Sequence, residues 1–307
     1  MLVALTSCED FFVDDISDAN IQPVHPAEDQ TIETNVTQFQ WVSVDGADNY
    51  RVQILNSDNL VIQDSLVETN FLNYALEDDD YSWRVRGENS EYETAFSFLI
   101  SFKVLISQDI SDQEVILETP SNNSYKNEPI INYSWFKLKN AEVYKFQLLK
   151  IGDTEETLYT SDDLLDESIT IASDLMDDDG QYKWRVKASN DLGETEYTER
   201  TFYLDRVNPG KPLLANPTND QTISTGDITF TWNMQDDTGE VQSEITYTFE
   251  LANDIAFLDV VGTVPDLLNQ SVNYVVNETG EYYWRVQAFD KAGNKGLYSD
   301  VYSFIVE

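Results

Sequence analysis

Few side chains in this chain could make or break a covalent bond. There is one histidine, His25, between Val24 and Pro26, and one cysteine, Cys8. A nucleophile needs a base beside it, and a zinc centre needs several nitrogen or sulfur ligands. Neither can be assembled from a single His and a distant single Cys. Carboxylates are abundant, with 57 Asp and Glu, and two of them could hydrolyse a glycoside, but no spacing singles out a pair. The expectation is therefore no enzyme and no catalytic residue. Calcium is the sharper candidate. Glu77-Asp78-Asp79-Asp80 precedes Tyr81, and Asp177-Asp178-Asp179-Gly180 precedes Tyr182. Neither has the spaced ligands and central glycine of an EF-hand loop. Facing linkers that carry Asp109, Asp112 and Asp205, they would be oxygen clusters able to hold Ca²⁺ at a domain junction. The plainer reading is a solvated turn, with no metal and no cofactor. The candidate ligand residues are Asp236, Asp237, Phe289, Asp290 and Lys291, with the Phe289 ring as a sugar-stacking surface. They lie on two loops that should share one end of the last domain, where packing at a junction is the competing reading. Arg84, Arg185 and Arg285 would be anion contacts or, as we expect, cross-strand partners, Arg285 with Glu250.

These residues must be positioned by a unit that occurs three times. Tyr81-Ser82-Trp83-Arg84-Val85 recurs as Tyr182-Lys183-Trp184-Arg185-Val186 and Tyr282-Tyr283-Trp284-Arg285-Val286, and the tryptophans are 101 and 100 residues apart. Apolar and polar residues alternate, so each is a strand with one buried face. Each repeat opens at a proline, Pro26, Pro120 or Pro217. A strand ending in Trp41, Trp135 or Trp232 follows. Then comes a second alternating strand from Tyr50, Tyr144 or Tyr247. Two tryptophans per repeat, one early and one late, suit two sheets that meet in a shared core. About seven short strands per repeat imply an antiparallel sandwich. The fold class is all-β: three tandem immunoglobulin-like sandwiches over residues 21–106, 107–206 and 207–307. Strand lengths imply a rod of about 100 Å.

The net charge is −39. It is spread as −16, −12 and −11 over residues 9–106, 107–206 and 207–307. Such a surface repels nucleic acid and anionic lipid headgroups and keeps copies apart, so we expect no nucleic-acid partner and a monomer. No disulfide can form within the chain. No apolar run reaches the roughly 18 residues of a membrane span.

Two resemblances add to this. The Trp of an early strand with the late Tyr-x-Trp-Arg-Val strand resembles a bacterial fibronectin type III repeat, over roughly residues 21–307. Leu76, Leu175 and Val276, shortly before Tyr81, Tyr182 and Tyr282, match the tyrosine-corner region of that family. Leu5-Thr6-Ser7-Cys8 resembles the lipobox of bacterial lipoproteins. That implies a signal remnant at residues 1–7, with an upstream start or a trimmed leader, cleavage before Cys8, acylation of Cys8 and an acidic tether over residues 8–20. Several acyl chains would hold the protein at a membrane. The acids after Cys8 are similar to those of Bacteroidota surface lipoproteins, which implies display on the outer membrane. Together these point to a lipid-anchored spacer, adhesin or protein-binding scaffold. The alternative is a glycan-binding surface lipoprotein. Asp64-Ser65-Leu66 also resembles an O-glycosylation tripeptide of that group.

Overall fold

A computed structural model describes residues 13–128, 130–235 and 238–307. It contains three sandwiches, each of a three-stranded and a five-stranded sheet. The first is built from β1 (Pro23–His25), β2 (Gln30–Ile32), β3 (Val36–Trp41), β4 (Asn49–Leu55), β5 (Val61–Val67), β6 (Phe71–Ala75), β7 (Asp79–Glu88) and β8 (Ile100–Val104). Its sheets run β1-β3-β6 and β2-β8-β7-β4-β5. The second repeats this with β9 (Leu117–Thr119), β10 (Ser124–Lys126), β11 (Ile130–Trp135), β12 (Val143–Ile151), β13 (Glu155–Leu164), β14 (Ser168–Ala172), β15 (Gly180–Ser189) and β16 (Thr198–Leu204). The third uses β17 (Pro212–Asn216), β18 (Gln221–Ile223), β19 (Gly226–Met234), β20 (Thr246–Ala252), β21 (Val260–Leu267), β22 (Ser271–Val276), β23 (Gly280–Phe289) and β24 (Tyr302–Val306). Strand order is the same in all three. Two compact units carry them. Met1–Val115, Lys137–Val143 and Lys187–Tyr197 form one, and Ile116–Phe136, Tyr144–Val186 and Thr198–Glu307 form the other.

The opening prolines explain why eight strands stand where seven were expected. Proline has no N–H to give a ladder, so the first strand breaks there. β1 pairs antiparallel with β3, and after Pro26 the chain crosses to the other sheet, where β2 lies parallel to β8. The peptide bonds before Pro26, Pro120 and Pro217 are cis. Three residues on, Asp29, Asn123 and Asp220 take a positive φ, which Asn and Asp tolerate better than most residues. Their amides donate to Ser101, Thr201 and Ser303 carbonyls at 2.7–2.8 Å.

Alternation carries the core. Trp41 lies on the three-stranded sheet and Trp83 on the five-stranded one, 6.4 Å apart with Phe39 edge-on to Trp83. Tyr50, Val52 and Ile54 of β4 point inward with them. In the second sandwich Phe146 stands between Trp135 and Trp184 at 6.4 and 6.3 Å. In the third, Phe230 and Phe249 pack on Trp284 at 5.1 and 6.1 Å.

The third residue of each late strand is a tyrosine whose hydroxyl turns back onto the preceding loop. Tyr81, Tyr182 and Tyr282 donate to the carbonyls of Glu77, Asp178 and Glu278, at 3.1, 2.6 and 3.1 Å. Leu76 and Val276 are buried beneath these corners. In the second sandwich the buried residue is Met176, and Leu175 is exposed at the end of a 3₁₀ turn, Ser173–Leu175. Met176 stands six residues before Tyr182, as Val276 does before Tyr282, so it is the equivalent corner residue. Tyr182→Phe removes one buried hydrogen bond and is expected to cost about 1 kcal/mol, read as a lower Tm.

Within the stretch expected to be a tether, Ile16 is buried. Asn89 donates from one Nδ2 to the carbonyls of Asp14 and Gly46, both at 2.9 Å. Gly46 has φ +82, and a Cβ there would meet Asp14 at 2.8 Å. The second repeat uses the same device: Asn190 donates to Gln108 and Asn140 carbonyls at 2.9 Å, and Ile110 is buried. Asp15-Ile16-Ser17 and Asp109-Ile110-Ser111 are therefore plugs at the entry of their sandwiches.

Candidate functional site

The acidic turns do not converge. Asp78 accepts from the Ile106 amide at 2.8 Å and pairs with Lys139. Asp178 binds Lys150 Nζ at 2.5 Å. Asp179 takes both the amide and Nε of Arg206, at 2.7 and 2.6 Å. Among the described residues, no three His, Cys, Asp or Glu side chains gather where they could hold a metal ion. Each turn instead fastens its own sandwich to the segment that leaves it.

The late loop of the third sandwich is a closed polar network. Asp290 occupies the position that Asn89 and Asn190 hold in the other copies, and it is buried. Its carboxylate accepts from the backbone and side-chain nitrogens of Asn294 at 2.8 and 2.9 Å. Asn294 Nδ2 also donates to the Asp205 carbonyl at 2.8 Å, and its Oδ1 accepts from Asn127 at 3.0 Å. Asp290 thus sits in a buried polar network. Lys291 is exposed. Its amide donates to Ser243 Oγ, and its Nζ lies 3.2 Å from Glu244. Phe289 is half-buried, with Lys295 Nζ 5.9 Å from its ring. Asp236, Asp237 and Cys8 lie outside the described residues. Sequence reasoning passed over Asn294. It likewise passed over Asn35 and Gln113: the Asn35 backbone amide donates to Gln113 Oε1, and their side chains bond the Glu114 and Glu33 backbone, all at 2.7–2.9 Å. Loop amides carry no periodic signal, so nothing distinguished these from solvated residues.

The outward cations are cross-strand partners. Arg285 lies opposite Glu250 and binds it at 2.7 and 2.6 Å, with Phe257 and Tyr298 on its two sides at 4.0 and 3.8 Å. Arg84 donates to Gln53 at 2.9 and 2.6 Å, and Arg185 to Gln147 at 2.8 Å. Arg51 bridges Glu88 and Asp64, at 2.7 and 3.0 Å, and Arg86 joins Glu88 to Glu93. Asp64 of the tripeptide is thereby engaged. Hydrogen bonds from Gln53 and Arg51 hold the Asp64 carboxyl below its ordinary range. Lys139 and the Ile106 amide do the same for Asp78. Partial burial pushes Glu88 up, but bonds from Arg51 and Arg86 outweigh it, and the net shift is down. A carboxyl that holds its proton less tightly when folded leaves the unfolded chain binding more protons. Its stabilisation is complete well above about pH 4 and is lost as pH falls through the folded value. Thermal melts are expected to hold steady from pH 7 to about 5 and to drop below about 4, less so in Asp64→Asn.

The surface hollows are open and polar. One of about 410 Å³ lies on the first sandwich, where Tyr81 and Phe102 stand beside Asp29, Asn56, Asn59 and Lys103. Another of about 380 Å³ is lined by Asp177, Asp178, Asp179, Arg206 and Glu240. No helix of the described residues is long and apolar enough to cross a membrane.

No family model matches the chain, and no curated protein matches it. Among solved structures it is similar to the FN1-FN3 domains of chicken CNTN1. The identity is 14%, with 94% of this chain and 97% of that chain covered and a TM-score of 0.41. It is also similar to the fibronectin(III)-like modules of Clostridium thermocellum CbhA. There the identity is 15%, with 63% of this chain and 94% of that chain covered and a TM-score of 0.42.

Proposed function

We propose that this protein is a non-enzymatic scaffold, lipid-anchored through Cys8 on the outer face of a bacterial outer membrane, where it holds a protein partner. One observation carries the scaffold reading. The three copies keep one strand order and one aromatic interior, and they differ at their edges and loops. Repetition of an interior supplies support, and variation outside supplies distinct surfaces for contact. The anchoring rests on the Leu5-Thr6-Ser7-Cys8 resemblance, and the display on the acids that follow it. The test is growth with labelled palmitate, followed by protease added to intact cells. Label on the wild type and none on Cys8→Ala, with the sandwiches cleaved at the surface, is the expected result. An unlabelled chain overturns the anchor, and a chain protected until the envelope is opened overturns the display.

A glycan-binding reading would use the hollow on the first sandwich, where Asp29, Asn56, Asn59 and Lys103 surround the edges of the buried Tyr81 and Phe102. Sugar sites combine such groups. A glycan array on residues 13–307 tests it, and an array without signal removes it.

A further inference from the structure

The three sandwiches offer three equivalent sheet edges, β5, β13 and β21, and two of them are guarded. An unpaired edge is a template for another strand, and natural sheets block it with charges, proline or irregularity. β13 carries Glu155, Glu156, Asp162 and Asp163, with two breaks in its register against β12. Glu155 and Asp162 are held by Lys183 and Lys145. β21 contains Pro265 and also has two register breaks. In addition, the Tyr274 hydroxyl donates to the Val261 carbonyl at 3.1 Å, above Gly262, where a Cβ would lie 2.4 Å from that hydroxyl.

β5 is the least guarded of the three, with a single register break between Ile54–Gln63 and Leu55–Val61. It has no proline, and Asp64 is its one charge. Its pairing with β4 runs unbroken from Tyr50–Val67 to Ile54–Gln63. Leu60, Val61, Ile62 and Leu66 are 62%, 48%, 40% and 50% exposed. The unbroken run from Gln63 to Val67 gives about 17 Å of regular edge. We propose that this edge docks an extended, cationic segment of a partner protein, which adds to the sheet as a sixth strand beside β5. Backbone groups along the edge would bind the segment, and Ile62 and Leu66 would meet apolar side chains at alternate positions. Charge decides the occupant. Residues 56–70 contain Asp58, Asp64 and Glu68 and no Lys or Arg. A second copy of this chain would bring another −39 to the contact, whereas a basic segment is drawn to it.

The proposal rests on the scaffold reading and names its contact surface. The probe is a synthetic strand of about nine alternating Lys and Val residues, with a Glu–Val strand as its counterpart, added to the full chain. Amide hydrogen exchange should slow across residues 61–67 with the Lys strand and not with the Glu strand. Ile62→Lys with Leu66→Lys should weaken binding about tenfold or more, with an unchanged melt, and Val261→Lys should leave it intact. Protection at β13 or β21, or none at all, overturns the proposal, and so does equal binding of the two strands. Self-association that protects the same amides puts a second copy there and also overturns it. Palmitate labelling and surface cleavage are independent of all these outcomes, so the scaffold reading stands or falls separately.

Discussion

Trp284→Ala is expected to destabilise the third sandwich by about 3–5 kcal/mol, the range for emptying a large aromatic site in a core. The indole is fully buried between Phe230, Phe249 and Tyr302, two of them edge-on. No neighbour can fill the void, because each belongs to a strand held at both sides or to the facing sheet. A domain of this size has roughly 5–15 kcal/mol in total, so a melt should show an early transition lowered by roughly 15–30 °C. The phenylalanine variants separate packing from hydrogen bonding. Trp83 Nε1 donates to the Pro26 carbonyl at 3.1 Å, whereas the Nε1 of Trp284 is buried without a hydrogen-bond partner. Trp83→Phe leaves a carbonyl stranded and Trp284→Phe relieves a stranded donor. The first should therefore cost about 1 kcal/mol more than the second. Equal losses would show that the Pro26 bond contributes nothing.

The second large effect is expected at Asn294. Alanine there takes a bond from three groups at once: the Asp205 carbonyl, one oxygen of the Asp290 carboxylate, whose other oxygen keeps the residue 294 amide, and the part-buried Asn127 amide. At about 1 kcal/mol or more for each buried group left unmade, the loss should be about 2–4 kcal/mol. Asn294→Asp should be worse, since it sets a second carboxylate against Asp290 and the Asp205 carbonyl. Hydrogen exchange is the direct readout, with protection lost first at residues 205–207 and 290–294. If Asn294→Ala melts like the wild type and keeps that protection, the network is incidental.

What sequence could reveal here followed periodicity. Trp83, Val85 and their counterparts alternate with arginines, and the structure places them on opposite faces. The Arg285–Glu250 pair was legible for the same reason, because register follows once two strands are neighbours. The aperiodic features were not legible. The division of the first strand between two sheets depends on where a proline falls relative to a partner strand far away. Ile16 reads as a stray apolar residue in an acidic stretch until Asn89 and Gly46 are seen closing over it. Asp290 is singled out in the sequence by its place on a loop expected to share an end of the domain with the longer 233–246 loop. Its burial depends on Asn294 and Asp205, which only the fold brings together. Leu175 and Met176 are adjacent apolar residues, and the six-residue spacing to the tyrosine shared with Val276 and Tyr282 picks out Met176.

The side-by-side, same-direction pairing of β2 with β8, repeated as β10 with β16 and β18 with β24, bears on how the chain responds to tension. The strand near the start of each sandwich and the strand at its close run alongside each other in the same sense. Pulling the two ends apart therefore slides one along the other. The bonds of that ladder lie across the force and must break together instead of peeling one after another. Rupture under load is governed by the rate of crossing that barrier. Each of the three copies should therefore withstand a pull between its ends better than a sandwich whose terminal strands peel apart.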